Sequence, residues 1–256
     1  MSARLFAFTD SIGIHSFGVI LAIGFLFFSW LFKKDSRFLR YLPGNRSDIL
    51  LLGGILAVLI GGRFIYWLSE WEGERHFTDL FTWWDGGFSV MGSTLAIMIF
   101  VASFIRYYRL PILGMCDYVA TYVPIIHSFG RVGCFFAGCC FGIEYSGLGS
   151  ITYTDPYCGA PLYISLFPVQ LLSSFWYALL FLFLFFGYKK SWFKPGQAAL
   201  IYIIASSFER FMLDFIRGDR ILGYGVVSFN QWIAFTIFMF GISCYLFLFF
   251  WRKRHL

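Results

Sequence analysis

A chain of 256 residues, 59% hydrophobic and only 13% charged, with a mean hydropathy of +0.72, is solvated mainly by lipid, because soluble domains carry roughly a quarter charged residues. That excludes an ordinary soluble enzyme. The excess of 20 basic over 14 acidic residues is no nucleic-acid signature either, since its placement follows the short connections between apolar segments.

The opening MSARLFAFTDSIGIHSF has no small-residue cleavage site, so it does not read as a cleavable signal peptide and the first apolar segment is expected to be retained. Seven segments are long enough to span a bilayer, which takes about 20 residues each. They run over 12–32, 48–68, 88–106, 112–131, 163–187, 197–217 and 227–250. The fourth and sixth carry charge.

The connections set the orientation. Residues 33–46 hold five Lys/Arg, 106–109 two, 188–194 three and the tail WRKRHL three. The alternate stretches hold few: Arg4 leads the chain, 69–87 sets Arg75 against five acids, and 132–162 has no Lys or Arg. Basic short loops stay cytoplasmic, so the N-terminus is expected outside and the C-terminus inside, in keeping with an odd number of spans. The fold expected is an all-α integral membrane protein of seven transmembrane helices. It forms a single polytopic domain over 1–256 with a small irregular outward-facing segment.

Two outward connections stand out. In 69–87, Trp71, Trp83 and Trp84 suit the membrane–water boundary, and Gly86 and Gly87 allow the backbone to turn tightly or to approach a headgroup. Residues 143–162 are rich in Gly, Tyr, Thr and Pro and read as a short segment with a small hairpin. Cys158 lies there, after Cys134, Cys139 and Cys140. A disulfide among these cysteines is open to them, but their C-x4-C-C spacing matches none of the usual zinc patterns. No metal is expected, and small buried apolar side chains are the leading reading.

Charges inside apolar segments cost about 2.5–3.5 kcal/mol each on insertion scales and usually face a polar interior. Arg63 ends LIGGR in the second segment, Asp117 and Arg131 bracket the fourth, and Glu209, Arg210 and Asp214 lie in the sixth. Ser206, Arg210, Asp214 and Arg217 share one helical face, where Arg210 and Asp214 can pair. Arg131 has no acid within a helical turn. Its planar guanidinium suits a phosphate, so Arg131 is the residue expected to await an anionic ligand, with glycines opening space around it.

These residues carry a resemblance. HSFG (15–18), GGRFIY (61–66), WDGGFSVMG (84–92), GRVGCFFAGCCFG (130–142), FPVQLL (167–172), ERFMLDFIRGD (209–219) and SFNQ (228–231) resemble, in order and spacing, the motifs of the prolipoprotein diacylglyceryl transferases of the bacterial inner membrane. The resemblance spans nearly the whole chain. It implies transfer of a diacylglyceryl group from phosphatidylglycerol to the lipobox cysteine thiol of a prolipoprotein, with glycerol phosphate leaving and no cofactor. The implied partners are phosphatidylglycerol, the prolipoprotein signal peptide and the membrane, with no nucleic acid; the chain is expected to work as a monomer. Arg131 and Arg210 match the family's essential arginines. Arg63, Gly86, Gly87, Asp117, Gly130, Gly133, Cys134, Gly142, Gln170 and Gln231 match supporting, substrate-binding positions.

The departures bear on chemistry. The family's histidine is Met91 here, its first-helix tyrosine Phe17 and its sixth-helix tyrosine Ser206. Its signature asparagines are Cys134 and Ala137, and its glutamates are Cys139 and Ser173. Methionine accepts no proton near neutrality, which leaves Cys134, Glu209, Asp85 or electrostatic activation of the incoming thiol to replace the histidine. The expected function is therefore diacylglyceryl transfer with an altered active site. The alternatives are a phospholipid-binding relative with different or lost activity, and a seven-helix transporter or scaffold.

Overall fold

A computed structural model describes residues 4–7, 13–69, 78, 80, 87–220 and 227–254. The chain is mostly helical. A two-stranded sheet of β1 (Arg4–Ala7) and β2 (Gly13–His15) precedes α1 (Ser16–Lys34), followed by α2 (Ser36–Tyr41), α3 (Arg46–Ser69), α4 (Val90–Tyr107) and α5 (Ile112–Ala137). Strands β3 (Ile151–Thr152) and β4 (Ser165–Leu166) lead into α6 (Val169–Lys189), α7 (Gln197–Asp214) and α8 (Phe229–Arg254).

Six of these helices, α1, α3, α4, α5, α6 and α8, are long and apolar enough to cross a membrane. Helix α7 matches α4 in length at 18 residues but carries Glu209, Arg210 and Asp214. Three boundaries differ from the sequence reading. The first helix begins at Ser16, because the chain up to His15 is in β2. The fourth runs on to Ala137, so Arg131 lies within it and not at its end. The fifth begins at Val169 and not at 163, because 165–166 pair as β4 and Pro168 precedes the helix; proline has no N–H to give and favours a helix start.

The chain divides into two compact units. The smaller comprises 7–13 and 29–115. Its main feature is α3 packed on α4 across small residues. A methyl added at Gly61 would meet the Gly92 carbonyl oxygen, and one at Gly53 would meet the Phe100 ring. Small residues let helix backbones approach closely in lipid, where the hydrophobic effect gives no drive for helix pairing. Ser93 Oγ donates to the Val58 carbonyl at 3.0 Å across the same seam.

The larger unit comprises 1–6, 14–28 and 116–256. Phe129 of α5 fills the space beside Gly24 of α1, and Phe28 meets Tyr122 edge-on at 6.3 Å. Buried Ser128 and Ser174 join α5 to α6, with their hydroxyls 2.9 Å apart and each 3.0 Å from the other residue's carbonyl oxygen. Such hydroxyl pairs are about 1 kcal/mol of interhelical glue in a medium with no water to compete.

A small hairpin starts within 143–162 and closes beyond it, since its second strand is β4 at 165–166. Strands β3 and β4 pair antiparallel with Ile151 opposite Leu166, over a core of Tyr153, Ala160 and Leu166. Tyr153 anchors it to α5 by donating from its hydroxyl to the Phe135 carbonyl at 2.8 Å, and burial pushes its phenol up to about 12.

Candidate active site

Three helices of the larger unit converge on a narrow, open cleft. Helix α5 contributes Arg131 and α6 contributes Gln170 and Ser173. Helix α7 contributes Glu209 and Arg210, and the connections after α5 and α7 contribute Cys140 and Arg217. Two of the three arginines are matched by carboxylates. Arg217 grips Asp219 through Nε and Nη2 at 2.8 and 2.6 Å, and Arg210 reaches Asp214 at 3.7 Å. Burial works against the charge on Arg217, but its bonds to Asp219 more than offset this and hold the guanidinium above its ordinary range.

Arg131 differs. Among the described residues it makes no hydrogen bond and no ion pair within 4.0 Å; Glu209 is its principal electrostatic neighbour. Glu209 is 4% exposed and is already engaged: the Ser173 hydroxyl donates to one carboxylate oxygen and the Tyr177 hydroxyl to the other at 3.2 Å. Arg210 in turn feels the like charges of Arg217 and Arg131. A half-buried guanidinium with free donors, beside two other guanidiniums, is a site for an anion.

The glycines expected to matter play different parts. A methyl at Gly142 would overlap the Phe167 carbonyl oxygen, where the Phe167 amide donates to the Ile143 carbonyl alongside, and Gly142 itself bridges to Arg217 in antiparallel fashion. Gly133 packs against Phe17, while Gly130 has open space beside it. Gln170, 1% exposed, donates from Nε2 to the Cys139 carbonyl at 2.9 Å and so fixes the connection after α5.

Other predicted residues lie elsewhere. Arg63 and Gly87 belong to the smaller unit, where Arg63 Nη1 donates to the Gly87 carbonyl at 2.9 Å and Gly87 adopts a left-handed φ of 77°. Gly86 lies outside the described residues, as do Trp71, Trp83, Trp84 and Asp85. Gln231, fully buried, accepts from the Ser228 amide at 2.9 Å and from Arg220 Nη2 at 2.8 Å, which places it at the start of α8 as a structural clamp.

Asp117 sits on α5 about 20 Å of helix from Arg131, at 1.5 Å per residue. Its carboxylate caps α7, accepting from the Gly196 amide at 2.5 Å and the Ala199 amide at 2.9 Å. This satisfies orphan donors at a helix N-terminus, where negative charge is favoured.

Residues 4–247 match the family described as prolipoprotein diacylglyceryl transferase. The chain belongs to that family. A phosphatidylglycerol–prolipoprotein diacylglyceryl transferase 2 of Clostridium perfringens is 30% identical over 91% of this chain and 90% of its own. Similarly named transferases of Clostridium tetani and Hydrogenovibrio crunogenus are each 28% identical over 90% of this chain, with 91% and 88% of their own lengths covered. The family and the apolar helices together make this a multi-pass bacterial membrane protein of a transferase enzyme family.

For a member of the prolipoprotein diacylglyceryl transferase family, the geometry adds residues that the sequence reading did not place in the site. Ser173 stands where the resembled motif keeps a glutamate, yet a carboxylate is present nearby, carried by Glu209 on the neighbouring helix and hydrogen-bonded to that same serine. Cys140, Leu213 and Arg217 also line the cleft. The signal for Arg217 was in its helical-face spacing with Arg210. For Cys140 there was only the CC doublet.

The capping of α7 gives a prediction. Asp117→Asn removes charge from a doubly hydrogen-bonded acceptor and is expected to lower stability by about 1–3 kcal/mol, read as a shift in thermal unfolding in detergent. Transferase activity per folded molecule should be unchanged. A fall in that specific activity would return Asp117 to the substrate-binding groups.

Proposed function

We propose that this chain transfers the diacylglyceryl group of phosphatidylglycerol to the lipobox cysteine thiol of prolipoproteins, with an active site altered around a core of arginines. The observation that carries the reading is that Arg131 and Arg210, matched from two motifs far apart in sequence, line one cleft. In this reading Arg131 and Arg210 are the catalytic residues. Gly130, Gly133, Cys134, Gly142 and Gln170 shape the site around them.

The chemistry follows from charge. The thiol sulfur attacks the glyceryl carbon, the C–O bond to phosphate breaks, and glycerol phosphate departs with the electron pair. Negative charge therefore builds on phosphate oxygens, where preorganised guanidiniums stabilise it more in the transition state than in the ground state. Arg131 supplies the uncommitted donors and Arg210 the second cation. Met91, 69% exposed, offers no base. Glu209 is the carboxylate nearest the reacting headgroup in this arrangement, and its bonds from Ser173 and Tyr177 hold it in place.

The membrane setting supports the same reading. Seven spans including α7, with the N-terminus outside and the C-terminus in the cytoplasm of a bacterial inner membrane, agree with the alternation of basic connections. The charges of α7 are then sheltered within the protein, where Glu209 and Asp214 are 4% and 2% exposed.

The test is direct. Purified chain is mixed with phosphatidylglycerol vesicles and a lipobox peptide, and both thioether product and released glycerol phosphate are quantified. Equal amounts of the two are expected. Phosphatidylglycerol binding without either product would favour the alternative, a relative that keeps the lipid site and has lost the transfer.

A further inference from the structure

The cysteines come together in a way their spacing does not suggest. Helix α5 ends at Ala137, Gly138 turns the chain with φ of 72°, and Cys140 itself adopts φ of 55°. A left-handed non-glycine residue is strained and persists only where surrounding structure imposes it. The result folds Cys139 and Cys140 back onto the last turns of α5, where Cys134 lies. The Sγ atoms of all three lie within 4.8 Å of one another, and all three are free thiols.

We propose that Cys134, Cys139 and Cys140 form a binding site for a thiophilic divalent cation of the Zn²⁺ class at the wall of the arginine cleft, with the fourth coordination position open to a substrate thiol. Tetrahedral zinc with Zn–S bonds near 2.3 Å sets its sulfurs about 3.8 Å apart. The three Sγ atoms therefore need to contract by no more than about 1 Å to enclose an ion. Three protein ligands and one open position describe a reactive zinc site, whereas structural sites are closed by four.

The surroundings suit the charge. Three thiolates on a divalent ion leave one net negative charge, and a fourth thiolate leaves two. Arg131 and Arg217 both act electrostatically on Cys140, and Arg131 also on Cys134. The connection that presents the thiols is also tied down. Gln170 holds the Cys139 carbonyl, the Gly218 amide donates to the Phe141 carbonyl at 2.9 Å, and the Gly159 amide donates to the Ala137 carbonyl at 3.1 Å. Outer bonds of this kind orient metal ligands.

The open position rests on the transferase reading; the ion site does not. A thiol that binds a zinc-class ion gives up its proton to water and becomes a nucleophilic thiolate. Its electron pair forms the new C–S bond while the C–O pair leaves on glycerol phosphate, and nothing is oxidised or reduced. The cation would thus supply the activation for which Met91 is unsuited.

The full-length protein in detergent, reduced and then freed of reductant, is titrated with Cd²⁺ and Zn²⁺, following thiolate-to-cadmium charge-transfer absorption and bound metal. One ion per chain is expected. Affinity should fall at least 100-fold in Cys134→Ser, Cys139→Ser and Cys140→Ser, each checked for native thermal unfolding. Cys244→Ser and Cys158→Ser should leave it intact.

Less than one ion per chain, or an undiminished band in the triple serine variant, overturns the site, as does a disulfide within the trio that survives reductant. Loss of the ion in Cys158→Ser would mean a closed four-thiol site and overturn the open position. A lipobox peptide should add charge-transfer intensity, and its serine counterpart none; equal response to both overturns the substrate-thiol assignment. Metal binding without diacylglyceryl transfer would sink the proposed function and leave the ion site standing.

Discussion

Arg131→Ala is expected to lower diacylglyceryl transfer by about 10²–10³-fold, the effect of deleting one preorganised donor from a developing oxyanion. The residue is unusual because, among the described residues, none hydrogen-bonds or ion-pairs with it. Arg210 and Arg217 have carboxylates at 3.7 and 2.6 Å, whereas Arg131 feels its carboxylate, Glu209, only at longer range, and the oxygens of Glu209 already accept from Ser173 and Tyr177. Removing it breaks no hydrogen bond among the described residues, and Glu209 keeps its bonds from Ser173 and Tyr177, so the protein should still fold and insert, with at most a modest fall in thermal unfolding from the counter-charge that Glu209 loses. The loss should therefore appear in turnover and not in yield.

Arg131→Lys separates charge from geometry. Lysine keeps the cation but not the planar two-pronged donor set that matches a phosphate, so it should recover only part of the rate, with phosphatidylglycerol binding restored more fully than transfer. Transfer measured with purified variants at saturating lipid checks both expectations. Unaltered turnover in Arg131→Ala would remove the arginine from the mechanism.

What could be read in the sequence, and what could not, divides along a physical line. Arg131 was legible because a lone cation in an apolar helix has few explanations, and its missing local acid is a one-dimensional fact. The membrane helices were legible for the same reason, being continuous runs of apolar residues. Contacts between distant residues were not. The pairing of Ser173 with Glu209 joins two helices, so the sequence displays only a serine where a glutamate was expected. The bonds that Asp117 accepts from the backbone amides of Gly196 and Ala199 could not be read either, because amides carry no side-chain signature. The thiol trio was hidden by the assumption that the helix ended near Arg131. Only an α5 that continues to Ala137, followed by two left-handed residues, turns a C-x4-C-C spacing into a cluster. The strand at 165–166 shows the converse, since its apolar residues fit a helix by composition and become a strand through pairing with 151–152.

Asp214→Ala is expected to destabilise the protein by about 3–5 kcal/mol, the range for removing one partner of a buried charge pair. Asp214 is 2% exposed and ends α7 between two cations, with Arg210 at 3.7 Å and Arg220 at 3.6 Å. It also accepts from the Ser228 hydroxyl at 2.5 Å, and Ser228 and Gln231 cap one another at the start of α8. One carboxylate thus fixes the end of α7, the connection after it and the beginning of the next helix. Its removal takes a carboxylate from both guanidiniums and leaves Arg210 with the like charges of Arg217 and Arg131. Asp214→Asn keeps an acceptor for Ser228 and removes only the charge, so it should recover part of the stability. Thermal unfolding in detergent measures both. The same variants test how the arginines are held for catalysis: with Asp214 gone, Arg210 loses the anchor that sets it at the cleft, and turnover per folded molecule should fall along with stability. If stability drops while that turnover holds, Arg210 is positioned by the bound phosphate and not by Asp214.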